Sequence, residues 1–255
     1  MSTTDVIILL VAGFLSGAIN SVAGGGRVIA FPVLLAFMPA VQANATCMIA
    51  LGLGIVGSCF GFRQHIPAVR PWLFRFGWAS FAGGLLGAWL LTVTPPQSFA
   101  NLAPFLMLFA TLLFMVQGPL RRWAGRHHAP CAAPETPNFA FVAAQFFIAI
   151  YGGYFGAGIG ILMLAVFGFM GFDDIHRMNT LKTILSAIVT LVAAAYYVYA
   201  GLIDWPHAIW VTLGATVGYF FGAHFSQQIP QTRVRQLIVA IGLAISAWMM
   251  WKLLA

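Results

Sequence analysis

The sequence predicts an all-α polytopic membrane protein. It is expected to consist of two inverted repeats of about five segments, each opening with a glycine-broken helical hairpin that is re-entrant or short. Three observations carry this expectation. The chain is 61% hydrophobic and 7% charged over 255 residues, whereas ordinary soluble domains carry roughly 25% charged residues. Its apolar runs are long and continuous, not the alternating ten-residue strands of a membrane barrel. Two of these runs are interrupted by glycine clusters at corresponding places in the two halves, Gly24-Gly25-Gly26 and Gly156-Ala157-Gly158. Interrupted, repeated membrane segments are the sequence feature that marks a binding site in repeat-built transporters.

In chain order the apolar runs fall at 5–22, 28–38, 44–62, 72–93, 99–118, 139–155, 159–171, 178–200, 206–227 and 233–254. Most are long enough to cross a hydrocarbon core of about 30 Å at 1.5 Å per helical residue. Runs 28–38 and 159–171 extend only roughly 16–20 Å as helices. Both directly follow a glycine break, so they are either short spans or the returning arms of re-entrant hairpins. The N-terminus has no Lys or Arg before Arg27. It lacks the basic start of a secretory signal and is expected to be a retained first segment.

Charge sets the expected topology. Arg63, Arg70 and Arg75 mark one loop, and Arg121, Arg122 and Arg126 mark the segment between the halves. Arg177 with Lys182, and Arg233 with Arg235, mark two more. Basic loops stay in the cytoplasm, whereas 39–43, 94–98 and 201–205 contain no Lys or Arg and are expected outside. Alternation then makes 139–171 enter and return, and makes 5–38 a hairpin that starts outside. The halves become 1–118 and 139–255, inverted, joined by a cytoplasmic linker at 119–138, with both termini outside a bacterial inner membrane. The net charge of +7 therefore reads as membrane orientation, not as a nucleic-acid footprint.

Aligning the halves sets Gly24-Gly25-Gly26 on Gly156-Ala157-Gly158, Thr46 on Thr180 and Met48 on Lys182. Gly83 and Gly87 fall on Gly218 and Gly222. These small-xxx-small spacings let helix backbones approach closely, either for internal packing or for a homodimer.

The glycines free the backbone to turn at membrane depth. The helix that follows opens with N–H groups lacking intrahelical partners and a positive dipole end, which is an anion site. Two such ends are expected, at 27–29 and 159–161, facing each other near the midplane. Arg27 is the sharpest single residue. A charge at mid-membrane costs about 2.5–3.5 kcal/mol even on the lenient insertion scale, and a bound oxyanion would compensate it through the guanidinium fork. The alternative puts Arg27 at the cytoplasmic surface as an orientation charge. Lys182 is a second cation beside the path or a snorkelling interfacial residue. Asn44, Thr46, Asn179 and Thr180 supply neutral hydrogen-bonding groups at equivalent places, or else serve as helix caps; Asn20 and Ser21 face the first glycine break and are expected as ligands. Tyr151 is a weaker candidate. With Gly24, Gly25, Gly26, Gly156 and Gly158, these residues form the expected substrate site.

At this point the chain resembles the sulfite exporter TauE/SafE family of membrane permeases. The matching stretches are Gly17-Ala18-Ile19-Asn20-Ser21-Val22-Ala23-Gly24-Gly25-Gly26 with Phe31-Pro32, then 151–158, Asn179-Thr180-Leu181-Lys182 and Gly201-Leu202-Ile203-Asp204-Trp205. They cover nearly the whole chain in order. The resemblance implies a permease for sulfite, another sulfur oxyanion such as thiosulfate, or a short organosulfonate. One departure is Arg27, which stands where the family often has a small or polar residue.

Other classes lack their signatures. The five acids, Asp5, Glu135, Asp173, Asp174 and Asp204, fall at run ends or in loops, so no buried proton relay or sodium site of clustered acids is expected. Cys47, Cys59 and Cys131 form no framework and are read as packing residues. No paired carboxylates, nucleophile with its base or metal-spaced ligands point to an enzyme. The triple glycine lacks the Lys-Ser/Thr of a P-loop. No metal or cofactor is expected; the expected partners are a small anionic substrate and the bilayer. The competing expectations are a transporter of another small anion, such as a carboxylate, and a non-transporting membrane scaffold.

Overall fold

A computed structural model describes residues 1–23, 25–61, 66–126, 138–170, 172, 175–225 and 231–254. Among them the chain forms ten helices and no strand. These are α1 (Thr3–Ala23), α2 (Arg27–Leu35), α3 (Ala40–Gly61), α4 (Ile66–Val93) and α5 (Pro96–Arg126) in the first half. The second half contains α6 (Phe139–Tyr154), α7 (Ile159–Phe169), α8 (Ile175–Tyr199), α9 (Trp205–Phe225) and α10 (Gln231–Leu254). Each apolar run of the sequence becomes one helix, and both short runs become short helices of 9 and 11 residues.

Five helices contain stretches long and apolar enough to cross a membrane: Thr3–Ser21, Val69–Val93, Pro96–Gln117, Arg177–Tyr199 and Arg235–Leu253. Large apolar side chains lie on the outside of the bundle, among them Phe74, Phe147, Phe220 and Trp251, each more than 60% exposed. Such a surface is stable against lipid and would associate in water. The protein is an all-helical, multi-pass membrane protein.

Local chemistry sets the helix ends. At the start of α1, Ser2 and Asp5 cap each other: the Asp5 N–H donates to Ser2 Oγ (3.2 Å) and the Ser2 N–H to Asp5 Oδ2 (2.7 Å). Helix α8 ends at Gly201, whose φ of +68° suits a residue without a Cβ. There the Leu202 N–H reaches Tyr197 O and the Gly201 N–H reaches Val198 O, the paired bonds of a Schellman cap. Asp204 then opens α9, accepting the His207 N–H on Oδ1 at 3.2 Å.

Packing crosses between the halves. Helix α1 lies along α9, and α4 lies along α6. The small-residue stripes form these two seams. A Cβ at Gly13 or Gly17 would overlap the carbonyl oxygens of Val211 or Ala215. One at Gly214 or Gly218 would overlap those of Leu10 or Phe14. Gly83 and Gly87 meet the Phe146 and Ile150 carbonyls in the same way. The glycine spacings thus serve packing within the chain. Exchanging α1–α5 with α6–α10 turns the α1/α9 seam into α4/α6 and returns the α3/α8 and α5/α10 pairs to themselves. That pairing is what a two-fold relation between the halves requires.

The segment between the halves departs from the expected linker. Helix α5 continues to Arg126, so 119–126 extend the helix and are not loop; 127–137, with Cys131, lie outside the described residues.

Candidate functional site

Both breaks meet at one cavity of about 250 Å³. The first break and the end of α1 contribute Asn20, Ser21, Gly25, Arg27 and Val28; the second contributes Gly156, Gly158, Ile159 and Gly160. Helix α8 adds Lys182, Thr183, Ser186 and Thr190, α5 adds Phe114 and Gln117, and α9 adds Tyr219.

The two breaks differ in backbone. Gly26 is right-handed helical, at φ −56° and ψ −29°. Its N–H donates to Asn20 Oδ1 at 3.3 Å, and its carbonyl accepts the N–H groups of Ile29 and Ala30. The Val28 N–H returns to Gly25 O. The start of α2 is therefore largely satisfied from within. In the second break Gly156 and Gly158 take φ of +79° and +77°, where an L side chain is strained. The Ile161 N–H returns to Gly158 O. The N–H groups of Ile159 and Gly160 precede it, on residues that line the cavity. A helix leaves its first amides without intrahelical acceptors, so α7 presents its positive end here. The expected symmetric pair of amide ends is thus uneven: both helix starts line the cavity, but the Val28 and Ile29 amides are taken by the Gly25 and Gly26 carbonyls, and Asn20 holds the Gly26 N–H just before α2.

Arg27 makes up what the first break lacks. It is 9% exposed and lies inside the bundle, which removes the reading of a cytoplasmic surface charge. Its Nη1 donates to the Phe155 carbonyl of the opposite break, and Nη2 lies 2.8 Å from Met48 Sδ. Phe155 caps the C-terminal end of α6, so the guanidinium sits at a negative helix end. Those partners, a carbonyl and a thioether, carry no full negative charge. A buried cation without an anion is costly, and the cavity is where an anion would supply the balance. Gly156 makes room for the guanidinium, because a Cβ there would overlap Nη1.

Lys182 reaches the same cavity from α8. Its Nζ donates to Asn179 Oδ1 at 3.3 Å. Its stem crosses the first turn of α7, where a Cβ on Gly160 would lie 3.2 Å from Lys182 Cδ. Among the described residues no carboxylate lines this space.

Of the residues singled out in the sequence, Asn20, Ser21, Gly25, Arg27, Gly156, Gly158 and Lys182 line the cavity. Asn20 is partly committed, bonding the Tyr219 hydroxyl through Nδ2, and Ser21 Oγ donates to Ala18 O at 2.8 Å. Gly26, Asn44, Thr46, Asn179 and Thr180 do not line it. Asn44 is buried and donates to Tyr154 O at 2.9 Å, satisfying the end of α6. Thr46 Oγ1 accepts the Asp204 N–H at 3.1 Å and ties α3 to the turn before α9. Asn179 positions Lys182, and Thr180 is fully buried. Gly24 lies outside the described residues. Tyr151 donates to Ala157 O at 2.7 Å and braces the second break.

Sequence reasoning missed Gln117, Thr183, Ser186, Thr190 and Tyr219. A signal was present for two of them: Ser186 and Thr190 follow Lys182 at i+4 and i+8, so the three share one face of α8. The equivalent face of α3 carries Met48 and Gly52. Gly52 presses on Thr190, with 2.9 Å between a Cβ there and Thr190 Cγ2.

The comparisons with known proteins agree with this architecture. A profile of the family described as "Sulfite exporter TauE/SafE" matches residues 9–249. A "Probable membrane transporter protein" of Haemophilus influenzae is 25% identical over 247 residues, 96% of this chain and 94% of its own. "Probable membrane transporter protein ORF9" of a Sinorhizobium species is 24% identical over 241 residues, 93% of this chain and 89% of its own. "Probable membrane transporter protein YfcA" of Escherichia coli K12 is 22% identical over 246 residues, 96% and 89% of the two chains. No solved structure is a significant match. With the profile spanning nearly every helix, the chain belongs to the sulfite exporter TauE/SafE family of membrane transporters.

Proposed function

We propose that this chain is an inner-membrane permease that moves a small sulfur-containing anion, such as sulfite, thiosulfate or a short organosulfonate. One observation carries the reading: Arg27 from the first half and Lys182 with the α7 amide end from the second line one buried cavity that holds no carboxylate among its described residues. Two cations and a helix N-terminus favour an oxyanion with several acceptor oxygens. The hydroxyls of Thr183, Ser186 and Thr190 supply further donors along α8. Val28, Leu51, Phe114 and Leu164 form an apolar side that suits the short carbon tail of an organosulfonate.

The two-fold pairing of the helices supports alternating access by rocking one half against the other, with the halves inverted in the membrane and both termini outside. Arg27 links the halves through the Phe155 carbonyl. An arriving anion competes for that guanidinium and so couples loading to the relation of the halves.

Purified protein reconstituted into vesicles tests this. Labelled sulfite, thiosulfate or sulfoacetate should enter, each should compete with the others, and acetate should not. Equal competition by acetate would make the chain a general small-anion or carboxylate transporter. No flux of any anion, with correctly inserted protein, would favour the scaffold reading instead.

A further inference from the structure

A second concavity lies toward the other end of α2, on lining residues distinct from those of the anion site. We infer that it is a phospholipid site selective for an anionic headgroup. The groove has a volume of about 580 Å³ and lies between the end of α2, the start of α5 and the end of α10. Three helix termini at one level place its mouth at the headgroup depth of one leaflet. Lys252, Gln97 and Asn101 give the groove polar groups near the ends of α10 and α5, and Leu35, Pro104 and Met249 are among its apolar lining. Pro104 lies eight residues into α5 from Pro96, about 12 Å further along the helix at 1.5 Å per residue. Polar groups near helix ends beside an apolar wall along α5 suit one lipid.

Charge selects the headgroup. Lys252 in the last turn of α10 is the cation among the described lining residues, and none of them is a carboxylate. Its Nζ lies 5.7 Å from the centroid of the Trp248 ring, which holds the ammonium over the mouth. Gln97 occupies the first turn of α5 and donates to Asn101 Oδ1 at 3.4 Å. The electropositive start of that helix thus faces the same mouth as Lys252. Trp248 is more than half exposed and sits at the interfacial depth that amphipathic aromatics prefer. A phosphodiester with glycerol or a similar uncharged substituent fits this arrangement. A zwitterionic choline headgroup would set a second cation beside Lys252.

The test is native mass spectrometry of the full chain in detergent, titrated with phosphatidylglycerol or phosphatidylcholine. Wild-type protein should retain phosphatidylglycerol preferentially. Lys252→Gln should cut that preference about fivefold, the effect of one basic residue at an anionic headgroup, and Lys252→Arg should restore it. Ala100→Trp, which fills the groove, should reduce retention of both lipids. Soluble glycerol phosphate should neither be retained nor displace the lipid. Equal retention of the two lipids by wild type would overturn the proposal. So would a preference unchanged in Lys252→Gln, displacement by glycerol phosphate, or an adduct with the mass of a second chain that Ala100→Trp removes.

Discussion

The two glycine breaks start from similar sequence and end as different devices. At the first, Gly26 is in right-handed backbone, Asn20 accepts its N–H, and the Gly25 and Gly26 carbonyls take the Val28 and Ile29 amides of α2. At the second, two glycines at positive φ swing the chain away, and α7 opens onto the cavity. The first break instead sends the Arg27 side chain across to the second, where it meets the carbonyl end of α6. One half thus supplies a buried charge and the other an amide end. The same division appears on the central helices, where α8 turns Lys182, Ser186 and Thr190 to the cavity and α3 offers Met48 and Gly52 at the aligned positions. Two halves of similar helix order therefore contribute unequally to one cavity.

The largest expected effect comes from Arg27→Ala. Removing a charge-assisted contact from a buried anion costs about 3 kcal/mol, a factor on the order of a hundred in flux or affinity. Insertion and helix content should be unchanged by circular dichroism. A variant with full flux in vesicles would move the charge out of the site and undo the division between the breaks.

Next comes a paired substitution of the breaks themselves. Gly156→Ala forces an alanine to φ near +79° and pushes on Arg27, at a cost of about 1–2 kcal/mol from the backbone alone. Gly25→Ala meets only side-chain ends, Phe114 Cζ at 3.0 Å and Ile238 Cδ1 at 3.1 Å, and has no positive φ to strain. Thermal unfolding should therefore drop clearly further for Gly156→Ala. Equal losses would show that the breaks are energetically alike.

Lys182→Gln should lower affinity by less than Arg27→Ala, because the ammonium it removes is less buried than the Arg27 guanidinium. About tenfold is expected, the lower end for a single charge-assisted contact. The ratio of the two variants' affinities for thiosulfate, read by isothermal titration, measures how uneven the halves are.

The smallest effect concerns the α8–α9 turn, away from both breaks. Asp204→Ala removes the α9 cap and should cost about 1 kcal/mol of stability with little change in flux. Partial burial of the Asp204 carboxyl would raise its pKa, but the hydrogen bonds from His207 outweigh this and hold it below the ordinary 3.8. A depressed acid contributes stability that is complete above 3.8 and is lost as pH falls through its lower folded value. Wild-type protein should accordingly shed this contribution only in strong acid, and Asp204→Ala should flatten that part of the melting-temperature curve.

Much of this was legible in the chain. The ten apolar runs became ten helices because hydrophobic length is a local property, and the two short runs stayed short because glycine interrupts them. The small-residue spacings announced close helix contact, although only the packing showed that Gly83, Gly87, Gly214 and Gly218 face the other half of the same chain. Asn44 and Thr46 look like ligands in the sequence because polar residues in spans need a reason. Their reason is backbone satisfaction, at the Tyr154 carbonyl and the Asp204 amide. The Lys182-Ser186-Thr190 face could be read from its period, but a period does not say which neighbour the face meets.

Composition, run length and glycine placement by themselves determined a helical membrane bundle with two interrupted hairpins, because burial in lipid demands long apolar segments with their own hydrogen bonds. Only the tertiary structure decided that Arg27 is buried against the opposite break and that α2 has its opening amides met by the carbonyls of its own break while the first amides of α7 lie on the cavity. Those outcomes depend on which groups from distant parts of the chain reach a given carbonyl or amide first, and no local pattern encodes that.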